Sequence, residues 1–342
     1  MSHDNIWTLD ASVPQQRIEF LCHDITRARI WTWLAPPQTC PVIRTDTRHF
    51  GNFRLDLGPT DEEVVQAWIP DPQAPKKGGG QQAYTDGAIE CLLTVKAVFH
   101  LAYRQTEGFG CSISELLGVK LPIPDYTTVN RRAKGLKVRL PTSEKGAIHL
   151  VLDSTGLKVY GEGEWKVRKH GYSKRRTWRK LHLAVDEATG EIEVEVLTEA
   201  KVDDAEETGA LLAQTRAKIE QMSADGAYDK EKVYQAAMDK GVTKITVPPR
   251  RDAVLWAETS TTPHPRNANP QRVWKVGRNT WKQESGYHRR SLAETAMFRF
   301  KTIFGDHLSA REKQHQKTEA RIKCAALNRM TRLGMPESYH VN

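Results

Sequence analysis

The sequence predicts an α/β chain, a mixed five-stranded sheet with helices, preceded by an all-α region. Two observations predict the class. From His149 onward, short apolar runs of strand length alternate with stretches of helical spacing. Upstream of that point, between Asp86 and Lys134, only helical patterns recur. A third observation sets the scale: 342 residues are too many for one small core and suit two or three domains.

Residues 1–56 show little periodicity and form a poorly characterised extension, to which no function attaches. Residues 57–140 read as a helical domain. Glu62 to Trp68 suggests a short helix, followed by the Pro-, Gly- and Lys-rich linker PDPQAPKKGGGQQ. A helix from Asp86 to Arg104 follows, with Ile89, Leu92, Leu93, Val95, Ala97 and Phe99 on its apolar side. A shorter helix covers Ile113–Leu117, and Asp125 caps a third, Tyr126–Lys134. This order, ending on Arg131, Arg132 and Lys134, is helix-turn-helix-like and DNA-binding; the plain alternative is a bundle with a solvated basic face.

Residues 141–335 form the α/β part. Strands are predicted at His149–Asp153, Lys180–Val185, Ile192–Leu197, Gln221–Asp225 and Lys244–Val247. Helices are predicted at Asp204–Ile219, Lys230–Lys240, Ser291–Phe304 and Arg311–Arg332. Asp186 to Glu191, DEATGE, is the hairpin turn between the second and third strands. Three strands, then helix, strand, helix, strand, is the order of an RNase H-like sheet, in which the first and fourth strands are neighbours. Asp153 and Asp225 would each close such a strand, and Asp229 reads as a helix N-cap. His182, between Leu181 and Leu183, reads as a structural histidine. Residues 250–284, rich in Pro, Asn, Thr and Arg, are expected to form a long insertion loop. Of its tryptophans, Trp274 and Trp281 suit anchoring to the core, and Trp256 is the candidate for stacking on a base.

Near the C-terminus, YHRRSLAETAMFRFK carries Tyr287, Arg290, Glu294 and Lys301. On a helix all four fall within a wedge of roughly 60°. A face with a carboxylate, two cations and a phenol is a poor core face. It suits a metal ion beside a phosphodiester. Ser291 to Glu294 also reads as a capping box, which would start the helix at Ser291. Two strand aspartates and one helix glutamate supply the hard oxygen donors of two-metal phosphoryl transfer.

A net charge of +9 points to an anionic partner, most simply nucleic acid. Clustering strengthens this, since Lys166 to Lys180 holds eight cations, Lys174, Arg175 and Arg176 among them, and no acid. The five cysteines are scattered without a C-x-x-C pair, which argues against structural zinc and for free thiols in a reducing cytoplasm. Neither a secretory signal pattern nor a membrane-length apolar run is present.

These motifs together resemble the bacterial insertion-sequence transposases of the DDE class, in the insertion-sequence-five family. That class carries Tyr-(2)-Arg-(3)-Glu-(6)-Lys, and Tyr287, Arg290, Glu294 and Lys301 match every gap. DYTTVNRRAKGLKV, LVLDSTGLKVYGEGEWKVRKHG, RRTWRKLHLAVD, ADGAYD and VPPR resemble the family in the same order, over about Leu57 to Glu337. The resemblance implies Asp153, Asp225 and Glu294 as catalytic metal ligands for two Mg²⁺ ions, with Mn²⁺ as substitute. It implies Tyr287, Arg290 and Lys301 at DNA phosphates near the cut. It further implies double-stranded DNA partners, the terminal inverted repeats and a target, a homodimer in the synaptic complex, and a cytoplasmic, nucleoid-associated location. The broader class uses a tryptophan of the insertion to hold a flipped base, without fixing which one. Two other functions fit the same residues: a non-catalytic end-binder, and a nuclease of this fold without strand transfer.

Overall fold

The computed structural model describes residues 19–22, 43–46, 50–54, 68–70, 83–116, 121–140, 146–159, 178–257 and 264–333. Two compact units result: Met1–Val138 with Thr302–Phe304 and Arg332–Asn342, and Arg139–Lys301 with Gly305–Thr331.

In the first unit, β1 (Glu19–Cys22), β3 (Phe50–Arg54) and β2 (Ile43–Asp46) form an antiparallel sheet in that order. Three helices follow: α1 (Asp86–Val98), α2 (Tyr103–Leu116) and α3 (Tyr126–Ala133). The single helix expected from Asp86 to Arg104 is broken in two. His100 adopts a positive φ of 53°, which no helix interior accepts, and α2 restarts at Tyr103. The short helix expected at Ile113–Leu117 is therefore the end of a longer one. Most of the helix expected at Glu62–Trp68, and the linker after it, lie outside the described residues. Asp125 caps α3 as its position suggests, accepting from the N–H groups of Thr127 and Thr128 at 2.9 and 3.0 Å.

The second unit is built on β4 (Ala147–Val159), β5 (Trp178–Asp186), β6 (Ile192–Glu199), β7 (Lys218–Ser223) and β8 (Lys244–Thr246). Their order is β6-β5-β4-β7-β8. Neighbours are antiparallel from β6 to β4 and parallel from β4 to β8. That is the RNase H-like sheet expected, with the first and fourth of these strands adjacent. A two-residue strand, β9 (His307–Leu308), adds itself beside the end of β4. The hairpin at Asp186–Glu191 closes with Asp186 accepting from Ala188 N–H and Thr189 Oγ1.

Helices α4 (Thr208–Gln214) and α5 (Glu231–Asp239) bury Leu211, Val233 and Tyr234 against Leu150 and Leu152 of β4 and Met222 of β7. α4 is shorter than the helix expected over Asp204–Ile219, because Thr215 turns the chain and Ile219 already belongs to β7. α8 (Ser291–Phe304) has the predicted bounds, and α9 (Lys313–Arg332) nearly so. α9 is fastened to β6 by Asn328, whose amide pairs with both backbone groups of Ile192 at 2.8 Å.

The stretch expected to be a loop, 250–284, instead contains α6 (Pro265–Val276) and α7 (Arg278–Glu284). Local composition argues against helix, and Pro270 removes one intrahelical hydrogen bond. Tertiary partners override it. Arg266 pairs with buried Asp229, Asn267 bonds both backbone groups of Trp256, and Asn269 donates to Ile245 O. His264 and Pro265 start α6, and Gly277, at φ 83°, takes the left-handed joint between the helices. Asp229 is thus an ion-pair partner and not the N-cap of α5, which is Lys230.

His182 is structural, as expected. It is fully buried on β5, and its Nε2 lies 2.9 Å from Thr198 Oγ1. Burial lowers its pKa from 6.5 to about 4, against the opposing charge of Asp204. A folded pKa below the unfolded one means the fold prefers neutral imidazole. The contribution of this histidine is complete above pH 6.5 and is lost as pH falls toward about 4, by about 3 kcal/mol in all. His182→Gln is expected to flatten the stability profile between those values in urea titrations at stepped pH. An unchanged slope counts against the assignment.

Candidate active site

β4 and β7 run parallel and pair Val151 with Ser223. Two residues beyond each partner stand Asp153 and Asp225, so the register places both carboxylates at one level of neighbouring strands. Asp153 is not a strand end. β4 continues to Val159, and at Gly156 its backbone passes close to the next strand: a Cβ there would stand 3.3 Å from the Trp178 ring. Asp153 emerges where β4 has lost its β7 neighbour. Asp225 lies just past β7 and caps a 3₁₀ turn, Gly226–Tyr228, accepting from Ala227 N–H at 2.9 Å.

The third carboxylate comes from α8. A 3₁₀ turn, Tyr287–Arg290, leads directly into this helix, so the segment is helical throughout. No capping box forms, because Ser291 is itself helical and makes no cap. Glu294 accepts instead from Arg290 Nη2, and Arg290 Nη1 lies 3.8 Å from Asp153 Oδ2. Tyr287 leans on buried Trp281 with ring centroids 5.7 Å apart, and its ring lies 5.8 Å from the Arg290 guanidinium carbon. The structure therefore gathers Asp153, Asp225, Glu294, Tyr287 and Arg290. Lys301 is on the Glu294 face of α8, about 10 Å further along the axis.

Burial raises the Asp153 pKa, with Asp225 and Glu294 adding repulsion; the Ser154 N–H and Arg290 oppose the rise. Burial also raises Tyr287, and Asp225 and Glu294 push the same way. Burial disfavours the Arg290 charge, yet Tyr287, Glu294, Asp153 and Asp225 together raise its pKa. These couplings are those of an anionic pocket built around one cation. Among the described residues, no three His, Cys, Asp or Glu side chains form a group able to hold a metal ion. The donor chemistry fits a hard divalent cation; the present spacing is that of carboxylates gathered on a guanidinium.

One residue beside the site carried no assignment from sequence. Tyr228, 1% exposed, ends the turn that Asp225 caps, and its Oη has no hydrogen-bond partner among the described residues. Burial, then the charges of Asp204, Asp153, Asp225 and Asp203, raise its pKa. Its place in ADGAYD, three residues after Asp225, was the available signal.

Other candidates fall elsewhere. Lys174, Arg175 and Arg176 lie outside the described residues. From the same basic stretch, Arg179 donates to Gln316 and Lys180 to Val202 O. Arg131 on α3 and Lys134 at its C-cap are exposed, whereas Arg132 donates to Tyr84 O at 2.8 Å and pairs with Asp86 at 2.5 Å. Trp281 is buried, as anchoring requires. Trp274 is 58% exposed, which corrects its reading as an anchor. Trp256 packs edge-on against Tyr234 and His264, with Arg266 over its ring at 4.9 Å. Among the described residues, Cys91, Cys111 and Cys324 form no disulfide, and no helix is long and apolar enough to cross a membrane.

Among solved structures, the chain is similar to the Drosophila P element transposase strand transfer complex at 12% identity and a TM-score of 0.29, over 55% of this chain and 47% of that one. It therefore spans about half the length of that protein. It is similar to the Mos1 strand transfer complex at 11% identity and a TM-score of 0.21, over 69% and 82% of the two chains. A piggyBac transposase synaptic complex with hairpin DNA matches at 11% identity and a TM-score of 0.24, over 79% and 78%. Two family models described as the transposase DDE domain match, over residues 59–162 and 144–329. The second runs through both strand aspartates and the helix glutamate and covers more than half of the sequence, so this chain belongs to the transposase DDE domain family.

Proposed function

We propose that the protein is the DNA transposase of a bacterial insertion sequence of the insertion-sequence-five kind. It binds the element's terminal inverted repeats, cleaves DNA at the ends and joins the exposed 3′-hydroxyl to target DNA. The observation that carries this is the approach of Asp153 of β4, Asp225 in the turn after β7 and Glu294 of α8, with the charges of the latter two reaching Asp153. Asp153, Asp225 and Glu294 would hold the divalent ions, two Mg²⁺ or Mn²⁺. When bound, these ions supply Lewis-acid stabilisation of the charge developing on the phosphoryl oxygens. The protein's own part is to place the strand. Tyr287, Arg290 and Lys301 present a phenol and two cations on the approach to the carboxylates, and Lys174, Arg175 and Arg176 extend the basic track.

End recognition belongs to the helical region. Arg131 of α3 and Lys134 at its C-cap are the exposed cations suited to DNA; Arg132, held by Asp86 and Tyr84, supports the helix. Of the insertion's tryptophans, the exposure of Trp274 supports it over half-buried Trp256 as the one to stack on an unpaired base. Two ends must be brought together, which calls for a homodimer on DNA, acting in the cytoplasm at the nucleoid. The test is incubation with Mg²⁺ or Mn²⁺ and labelled end duplexes. Cleavage with joined products is expected. Cleavage alone would make it a nuclease, and binding alone an end-binder.

Lys301→Ala tests the clamp. Its charge lies along the helix from Glu294 and has no part in holding the carboxylates together. Cleavage is expected to fall about tenfold, with a steeper loss as salt rises and less accurate cut sites. Mn²⁺ affinity should stay at the wild-type value by titration calorimetry; a matching fall in metal affinity would remove Lys301 from the DNA path.

A further inference from the structure

Arg290 stands between two of the three site carboxylates, hydrogen-bonded to one and within ion-pair distance of the other. Nη2 donates to Glu294 Oε1 while Nη1 stands 3.8 Å from Asp153 Oδ2. The Arg290 and Asp153 side chains are only 20% and 17% exposed, so this pairing is shielded on its strand side. Carboxylates drawn together in such a place repel one another. A guanidinium among them cancels the repulsion, and its planar fork reaches two partners. Its positive charge stands where a divalent cation held by these carboxylates would be. Arginine is also the residue that best matches phosphate oxygens, and one guanidinium cannot direct the same N–H groups at carboxylates and at a phosphate. In this same position the guanidinium carbon lies 5.8 Å from the Tyr287 ring, a contact it can keep when its N–H groups turn to another anion.

We propose that Arg290 is a latch on the metal site, closed in the DNA-free protein and opened by a DNA phosphate that draws the guanidinium away from Asp153 and Glu294. The proposal rests on the transposase reading and adds its regulation. Metal and DNA then bind with positive coupling, and by linkage each strengthens the other equally. Free protein holds divalent cations poorly, so the cutting site assembles only where DNA is already seated. Arg290 acts here as a positioning residue, exchanging one anionic partner for another.

The test is Mn²⁺ binding, read by electron paramagnetic resonance without any turnover. Wild type, Arg290→Gln and Arg290→Lys are titrated with Mn²⁺, alone and with a precleaved duplex bearing the inverted repeat. Wild-type affinity is expected to rise about tenfold when the duplex is added, within the ordinary range of coupling between sites. Arg290→Gln alone should bind Mn²⁺ about tenfold more tightly than wild type, with little further gain from the duplex. Arg290→Lys, which keeps the charge and loses the fork, should fall between. The latch is overturned if Arg290→Gln binds Mn²⁺ no more tightly than wild type, or keeps the full duplex effect. Asp153→Asn and Glu294→Gln separate the two readings. If neither weakens Mn²⁺ binding, these carboxylates are not the metal site and the transposase reading falls as well.

Discussion

Asp153→Asn, Asp225→Asn and Glu294→Gln are each expected to abolish end cleavage while leaving end binding intact. The three side chains come from β4, the turn after β7 and the first turn of α8, and the charges of Asp225 and Glu294 both reach Asp153. An amide keeps the shape and removes the negative charge on which a hard cation depends. A loss of about 4 kcal/mol of transition-state stabilisation slows cleavage about a thousandfold. On the proposed reading, binding rests on cations placed elsewhere, at Arg131 of α3, along the basic stretch and at Lys301. Gel shifts with end duplexes should therefore stay near wild type while a cleavage time course in Mg²⁺ goes flat. Near-normal cleavage by any one variant would remove that residue from the site.

Breaking the Asp229–Arg266 pair should cause the largest loss of stability. The two side chains are 2% and 4% exposed, and two hydrogen bonds of 3.0 and 2.9 Å join them. Arg266 also donates to Val254 O, and Tyr234 donates to Asp229. Removing one partner strands a buried charge, at a cost of about 3–5 kcal/mol. Arg266→Met or Asp229→Asn should thus lower the melting temperature by about 10 °C. The double variant Asp229→Leu/Arg266→Met should regain much of that loss, since an apolar pair leaves no unpaired charge. Thermal denaturation of the three variants decides it. If the double variant is as unstable as the sum of the singles, the pair is not what pins α6. The consequence reaches function, because Asp229 follows directly on the turn that Asp225 caps. Loosening α6 should displace that aspartate as well.

Local pattern in the sequence determined the sheet and α8. Apolar runs mark β4 to β8 because burial demands them, and the Asp186–Glu191 turn follows from its own side chains. The bounds of α8 and the spacing from Arg290 to Glu294 are local properties of one helix, legible without the fold. Asp153 and Asp225 were legible as candidates for the same reason, and their adjacency followed from strand order. Tertiary structure alone decided what depends on distant partners. Composition marks residues 264–284 as loop, yet Asp229, Trp256 and Ile245 supply the bonds that hold α6 there. Asp229 resembles a cap until Arg266, 37 residues later, claims it. Asp153 looks like a strand end because Ser-Thr-Gly follows, but β4 runs on through that glycine, paired with Lys180 of the next strand and close to its Trp178 ring. The place of Arg290 between Asp153 and Glu294 is set the same way, since a charge settles by its neighbours in space and sequence spacing records only those on its own helix.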